Sequence, residues 1–197
     1  MVRYVMIGAA ALLLASALGQ AATMVELGAD EMVARSQAIV MGEVVSTASR
    51  LQGRFIVTDV TIRLDRAALK GNLQAGQTLT LTELGGEVDG LGMRVSGAPV
   101  YRLSDRVAVF ASTRSDGSYR TLGLSQGLFR IQGGDVVREL AAEMEDSASD
   151  GTEAGSVEVL DAETVTESAG RFPERMGLGE FIGRVDSLVR AQKAVQP

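Results

Sequence analysis

The longest regular pattern of apolar and polar residues lies in residues 53–71. Its side chains alternate with a period of two, which is typical of a strand with one buried face. A turn at Leu69-Lys70-Gly71 closes the segment. Because so long a strand needs partners on both edges, we expect the flanking segments to supply neighbouring strands. Ile56, Thr58, Val60, Ile62 and Leu64 are expected on one face, and Val57, Asp59, Thr61 and Arg63 on the other.

Shorter segments of the same kind occur on both sides of this strand. They are rich in β-branched residues and are separated by glycine, proline and Ser-Asp turn signals. In the first of them, Gly42 indicates a bulge or a close backbone approach. About seven short strands in this arrangement predict a mainly β protein, either a small antiparallel barrel or a sandwich. The further strands are expected at residues 38–47, 76–84, 93–95, 106–112, 119–124, 127–132 and 135–138.

Two segments have the pattern of helices. Residues 28–36 predict a short helix, with Asp30 and Glu31 in the first turn, where the helix dipole favours acidic residues. Residues 177–191 predict an amphipathic helix that either docks on the barrel or binds a partner, docking being the usual role. Its apolar stripe consists of Leu178, Phe181, Ile182, Val185, Leu188 and Val189.

The two ends of the chain differ in composition from the middle. Residues 1–21 have the pattern of a secretory signal peptide, with Arg3 ahead of an apolar run from Val5 to Leu18. That run is shorter than the roughly 20 residues of a membrane span, which favours cleavage over a transmembrane anchor. We therefore expect a bacterial periplasmic or secreted protein. The expected organisation is a signal peptide at 1–21, a β-barrel domain at 22–140, an acidic linker or long loop at 141–170 and a C-terminal helix at 171–197.

An alternative interpretation of the acidic segment is a calcium site. The residues whose spacing comes nearest to that of calcium ligands are Asp146, Asp150 and Glu153. This spacing does not follow the order of an EF-hand loop, so the linker interpretation is preferred.

Composition excludes several kinds of chemistry. The chain contains no cysteine and no histidine, so disulfides, thiol nucleophiles and Ser-His-Asp or HExxH sites are impossible. The net charge is −6, and loss of Arg3 with the leader leaves 18 basic against 25 acidic residues, or −7. So acidic a protein is a poor candidate for binding nucleic acid or an anionic membrane. We expect no cofactor and no metal ligand.

Residues 85–92 form a glycine-rich segment that predicts a mobile hairpin loop. It lacks the GxxxxGK[ST] order of a phosphate-binding loop, and Glu87 and Asp89 would repel phosphate. Loops on a rigid barrel commonly carry binding residues. We therefore take the surface from Glu87 to Pro99 as the candidate partner-binding surface. Its expected contact residues are Glu87, Val88, Asp89, Leu91, Met93 and Arg94.

Several local sequences together carry a family resemblance. They are Ser36-Gln37-Ala38-Ile39-Val40-Met41-Gly42-Glu43-Val44-Val45, Thr58-Asp59-Val60, Leu69-Lys70-Gly71, Gly85-Gly86, Val95-Ser96-Gly97-Ala98-Pro99 and Gly123-Leu124-Ser125-Gln126-Gly127-Leu128-Phe129. The chain resembles an uncharacterised family of exported bacterial proteins. Residues 38–71 also resemble the N-terminal domain of the tissue inhibitors of metalloproteinases. That resemblance implies a five-stranded OB-type barrel of the netrin-like class.

The resemblance to the inhibitors extends to the fold only. Those inhibitors bind the protease zinc through an N-terminal cysteine and contain several disulfides, whereas this chain has no cysteine. With the fold carried over, we expect a small antiparallel OB-like barrel with a short N-terminal helix and a C-terminal amphipathic helix.

These observations favour a function in binding over catalysis. We expect an exported, non-catalytic protein-binding module whose partner is another exported protein, in its specific form an inhibitor or accessory factor of a metalloprotease. The alternatives are an envelope structural or interaction protein and a carboxylate-based hydrolase using acids such as Glu83 and Glu87. An oligonucleotide-binding module is set aside because the aromatic residues are expected in the core, namely Phe55, Tyr101, Phe110, Tyr119 and Phe129.

Overall fold

The computed structural model describes residues 26–138 and 170–195. The predicted signal peptide and, apart from Gly170, the predicted acidic linker lie outside these residues. Within these residues there are two α-helices, α1 (Ala29–Arg35) and α2 (Leu178–Val195), and a 3-10 helix at Leu124–Gly127. The strands are β1 (Ala38–Gln52), β2 (Phe55–Leu64), β3 (Thr78–Leu84), β4 (Gly86–Val88), β5 (Leu91–Met93), β6 (Arg106–Thr113), β7 (Tyr119–Thr121), β8 (Leu128–Gln132), β9 (Asp135–Arg138) and β10 (Arg175–Gly177).

Five of these strands close into a barrel. They pair in the order β1–β2–β3–β7–β6, and β6 pairs again with β1 to complete the ring. All of these pairings are antiparallel except β3 with β7, which is parallel. The predicted class, a mainly β protein with a small OB-like barrel and one helix near each end, is confirmed. The long strand β2 has β1 and β3 on its two edges, as its length predicted.

The edge of β6 that faces away from β1 is shared by two strands. Residues 111–113 pair with β7 inside the barrel, whereas residues 107–109 pair with β8. From β8 the sheet continues through β9 to β10, outside the barrel. β10 was not predicted, because three residues are too few to show an alternating pattern directly before a helix.

The apolar residues form two separate cores on opposite sides of the barrel wall. One core fills the barrel, and the other lies outside it. Side chains of β1 enter the two cores in turn, so Val40 and Val44 point inward while Ile39 and Met41 point outward. The interior cluster contains Ala38, Val40, Val44, Val60, Ile62, Leu64, Leu79, Leu81, Val107, Val109, Ala111 and Leu128. Because β6 and the first half of β1, residues 38–44, are buried on both faces, their sequences are almost continuously apolar.

The outer core lies beneath the two helices and is built around four phenylalanines. The rings of Phe110, Phe129, Phe172 and Phe181 all contact one another, with centroid distances between 5.3 and 6.2 Å. Phe181, Val185 and Val189 of the predicted α2 stripe are buried in this cluster. The stripe therefore docks α2 on the barrel.

One aromatic prediction is wrong. Phe55 was expected in the core, but it is 46% exposed at the start of β2, where the Arg54 guanidinium lies 5.0 Å from the centre of its ring. Phe55 lies at a strand end, next to the tight turn from β1, where no other element of the described residues covers its ring. The alternation of apolar and polar residues along the strand therefore does not determine burial at this position.

Gly42 is required by a close approach between strands. A Cβ at this position would lie 2.1 Å from the carbonyl oxygen of Arg63 on β2. The register between β1 and β2 shifts just beyond it, between Val44 and Ser46. Both features were indicated by a glycine within a strand pattern.

Candidate functional site

A cleft of about 650 Å³ opens at one mouth of the barrel, near the start of β2 and the end of β3. Its floor is formed by inward-facing residues of these two strands. The β4–β5 hairpin and the segment leading towards β6 form its walls. The lining residues are Thr58, Val60, Glu83, Leu84, Gly85, Gly86, Glu87, Gly92, Met93, Arg94, Val95, Ala98, Pro99, Val100 and Tyr101.

The wall made by β4 and β5 is a two-stranded sheet of its own. Its two-residue turn is Asp89-Gly90, and both residues have left-handed φ angles, 51° and 78°. Left-handed φ at both central positions is the requirement of a type I′ turn, for which Asp-Gly is a preferred sequence. The predicted hairpin loop is thus an ordered pair of strands, and the Asp-Gly pair between Val88 and Leu91 is the signal that could have predicted them.

The base of the hairpin is held against the barrel by hydroxyl groups. Thr58 Oγ1 donates a hydrogen bond to the carbonyl oxygen of Gly85 at 2.7 Å, and Ser49 Oγ lies 3.0 Å from Thr58 Oγ1. At Gly86, which has a φ of 131°, an added Cβ would lie 2.4 Å from Thr58 Oγ1 and 2.5 Å from Ser49 Oγ. Only glycine fits here, because its missing side chain lets the hairpin backbone rest directly on the two hydroxyls.

The six predicted partner-binding residues fall into two groups. Glu87, Met93 and Arg94 line the cleft. Val88, Asp89 and Leu91 belong to the turn end of the hairpin instead and do not line it. Leu91 is 65% exposed at that end. The predicted surface is therefore one wall of the cleft together with the exposed tip above it.

The floor of the cleft contains a buried acid, Glu83. It continues the inward-facing side of β3 after Leu79 and Leu81 and is only 7% exposed. Its Oε1 accepts two hydrogen bonds of 2.7 Å, from the backbone N–H and the side-chain hydroxyl of Thr121 on β7. Within the described residues no group donates to Oε2, and Oε2 is not among the fully enclosed unpartnered polar atoms of this cleft-lining residue.

A tyrosine extends this hydrogen-bonded group. The hydroxyl of Tyr101 lies 2.6 Å from Thr121 Oγ1. Because the Thr121 hydroxyl donates its proton to Glu83, the Tyr101 hydroxyl is the donor in this pair. The result is a chain from Tyr101 through Thr121 to Glu83, in which the Tyr101 oxygen keeps its acceptor lone pairs.

Burial changes the proton affinity of both end groups. Burial raises the pKa of Glu83 above the ordinary glutamate value, against the opposing effect of its Thr121 hydrogen bonds and of the positive charges of Arg114 and Arg120. Burial, and then the negative charge of Glu83, raise the pKa of Tyr101 well above the ordinary tyrosine value. The cleft floor thus holds an acid that ionises less readily than an exposed one.

Sequence reasoning named Glu83 only as one acid among many. The available signal was an acidic residue on the same alternating face as Leu79 and Leu81, where a third apolar residue is expected. Tyr101 and Thr121 gave no such signal, because the first lies in an irregular segment and the second is brought to Glu83 by the pairing of distant strands.

The cleft also has charged groups at its rim. Glu87 and Arg94 line it and are exposed, and neither takes part in an ion pair among residues 26–138 and 170–195. In the part of the chain that the structure describes, no three side chains of the Asp, Glu, His or Cys type are grouped as a metal site. The calcium alternative at Asp146, Asp150 and Glu153 lies outside those residues.

Within the described residues, neither α-helix is both long and apolar enough to cross a membrane. Comparison of the chain with protein-family models, with curated proteins and with solved structures gives no match in any of the three. Fold and site together define the class of molecule: a small closed β-barrel of the OB-like type, with one side covered by helices and one mouth forming a cleft.

Proposed function

We propose that this protein is an exported, non-catalytic binding module, and that its cleft and hairpin tip hold an extended segment of another exported protein. The observation that carries the proposal is the cleft of about 650 Å³, which combines a polar floor with apolar side chains exposed to solvent. Leu84 and Val100 line it at 36% and 46% exposure, and Leu91 stands above it at 65%.

The hairpin gives such a segment a backbone to pair with. Its two strands pair only with each other among the described strands, so each has a second edge of N–H and C=O groups. Addition of an extended peptide to a free strand edge is a common recognition mode, in which main-chain hydrogen bonds give affinity and side-chain pockets give specificity. The narrower form of the proposal, an inhibitor or accessory factor of an exported metalloprotease, rests on the resemblance of residues 38–71.

The test is capture of partners from the envelope and culture fluid of the native host, read by mass spectrometry, with Leu91→Asp as the variant. We expect a stoichiometric exported protein with the unchanged chain and a loss of about tenfold or more with the variant, since a charge at an apolar contact is strongly unfavourable. Capture of a metalloprotease would support the narrower form, and a titration of its activity would then separate inhibition from assistance.

Leu103→Asp is the matched control, because Leu103 is also 65% exposed and neither lines the cleft nor belongs to the hairpin. Both variants are expected to keep the melting temperature of the unchanged chain. If neither variant reduces capture, or if both reduce it equally, the hairpin is not the contact surface. Capture of no protein would leave the envelope structural role as the better explanation.

A carboxylate-based hydrolase is the second candidate function, favoured by the presence of both Glu83 and Glu87 in one cleft. Glycoside hydrolysis needs two such acids, one of them with a raised pKa. Against it, Tyr101 is the only aromatic residue in the lining, whereas sugar-binding clefts commonly use several. Hydrolysis of chromogenic glycosides by the unchanged chain, abolished in Glu83→Gln and in Glu87→Gln, would replace the binding proposal with this one.

A further inference from the structure

The buried acid in the cleft floor has a feature that no structural role requires. Oε1 of Glu83 accepts two hydrogen bonds from Thr121, whereas Oε2 has no donor among the described residues and is not fully enclosed, and Glu83 lines the cleft. A carboxylate that is 93% removed from solvent and keeps one open oxygen is a costly arrangement, because burial disfavours the charged form. A cationic group placed in the cleft would offset that cost.

From this geometry we propose that the cleft recognises a lysine side chain of the bound segment, with its ammonium group placed between Glu83 Oε2 and the Tyr101 hydroxyl oxygen. This inference rests on the proposed binding function and names the chemistry of the segment. It assigns Glu83 the role of a specificity-determining residue.

The number of open acceptors selects lysine over arginine. A guanidinium binds a carboxylate best through two parallel hydrogen bonds, which need both oxygens free. Here Thr121 occupies Oε1, so only one carboxylate oxygen can accept. A compact ammonium donates to single acceptors in several directions, and the Tyr101 oxygen, whose proton goes to Thr121, supplies a second one.

The charges around the site have opposite effects on an incoming cation. Glu87 at the rim attracts it, whereas Arg94 at the rim and Arg114 and Arg120 near Glu83 repel it. The Arg114 guanidinium donates a hydrogen bond of 3.0 Å to the backbone carbonyl of Thr82, and within the described residues neither Arg114 nor Arg120 forms an ion pair with Glu83. Direct contact with Oε2 is therefore left to the incoming group.

Binding of a cation here also depends on pH. The ammonium needs the ionised form of Glu83, and burial raises the pKa of that carboxyl in the free protein. Affinity for a lysine peptide should therefore fall as the pH is lowered through the pKa of Glu83, with uptake of a proton on release. The other charged or titratable groups that interact electrostatically with Glu83 are Tyr101, Arg114 and Arg120.

The experiment compares three pools of capped octapeptides by calorimetry with the full chain. Each pool has a fixed central residue, either lysine, arginine or norleucine, and uncharged residues elsewhere. We expect the lysine pool to bind at least about tenfold more tightly than the norleucine pool, as for a hydrogen bond to a charged group, with the arginine pool in between.

Glu83→Gln is the decisive variant, because glutamine keeps an oxygen for Thr121 and presents an amide in place of Oε2. It should reduce the lysine preference to about threefold or less and remove its pH dependence, while Glu180→Gln, at an exposed acid in the first turn of α2 outside the cleft, should keep both. A cooperative thermal transition of Glu83→Gln, at a melting temperature no lower than that of the unchanged chain, shows that the fold is retained.

Three results would overturn the lysine anchor: equal binding of the lysine and norleucine pools, an undiminished lysine preference in Glu83→Gln, or no binding of any pool. Failure of the binding function itself has a different signature, since the Leu91→Asp comparison in the capture experiment does not use Glu83. If partner capture survives Glu83→Gln but is lost in Leu91→Asp, the proposed lysine recognition is wrong and the proposed binding function is retained.

Discussion

The helix-covered side of this barrel and its cleft side differ in the kinds of groups that they bury. Beneath the helices the buried groups are apolar and interlocked, with four phenylalanine rings in mutual contact. At the cleft the barrel interior ends in Glu83, Thr58 and Tyr101, and Leu84 and Val100 remain in contact with solvent. The helix side buries almost all of its apolar surface, whereas the cleft side leaves apolar side chains exposed and contains a buried acid. We infer that the helix side supplies stability and that the cleft side is shaped for a ligand.

The largest expected effect comes from truncating a ring on the helix side. Phe181→Ala removes a fully buried ring from the four-phenylalanine cluster, and such changes cost about 3–5 kcal/mol in the free energy of unfolding. Denaturant unfolding at neutral pH measures this loss directly. The value also tests whether α2 contributes to the same cooperative unit as the barrel.

Phe55→Ala provides the same chemical change at an exposed ring on the cleft-side half of β2. The free energy of unfolding should fall by less than about 1 kcal/mol, because the change removes only the contact with Arg54 and the burial of part of the ring. Equal losses at the two positions would mean that the helix side does not dominate stability.

Lys70 illustrates how the helix side is tied together beyond its apolar core. Its Nζ donates to the carbonyl oxygen of Val33 in α1 at 2.7 Å and to Gln192 Oε1 in α2 at 2.8 Å. Burial lowers the pKa of Lys70, and these two acceptors compensate for part of that cost. The sequence indicated only a turn at this residue, because neither partner is near it in the chain.

Sequence patterns were sufficient for the barrel because its main signals are local. Alternation along β2, the glycine at Gly42 and the apolar stripe of α2 each follow from the geometry of one element. The cleft was less predictable because it depends on contacts between distant segments. Glu83 meets Thr121 across 38 positions, and Tyr101 meets the same Thr121 across 20.

The hairpin that walls the cleft can be tested separately from the barrel. Gly86→Ala would force a Cβ against Thr58 and Ser49 at a φ of 131°, and such overpacking costs about 1–3 kcal/mol. We expect this cost to appear as local opening, so hydrogen exchange of the β4 and β5 amides should speed up while that of β1 and β6 stays slow. Lower affinity for the partner should accompany the opening.

Gly92→Ala is the control within the same hairpin. An added Cβ there meets no atom within 4 Å, and the change should alter stability by less than about 0.5 kcal/mol. Uniformly faster exchange through the whole barrel in Gly86→Ala would show instead that hairpin and barrel unfold together. The cleft side and the helix side would then not differ in local stability.

The smallest effect concerns the cost of the buried acid. Because burial raises the pKa of Glu83 in the folded state above its ordinary value near 4.5, the folded protein holds this proton more tightly than the unfolded chain does. The stabilisation is complete below the ordinary pKa and is lost as the pH rises through the raised one, by about 1.4 kcal/mol for each unit of difference. Glu83→Gln cannot ionise, so its stability relative to the unchanged chain should increase across this interval and level off above it. Unfolding curves at a series of pH values measure the difference, with Glu87→Gln as the exposed control. A difference that is flat with pH would mean that Glu83 ionises like a surface acid, and the contrast between the cleft and the helix side would lose its electrostatic part.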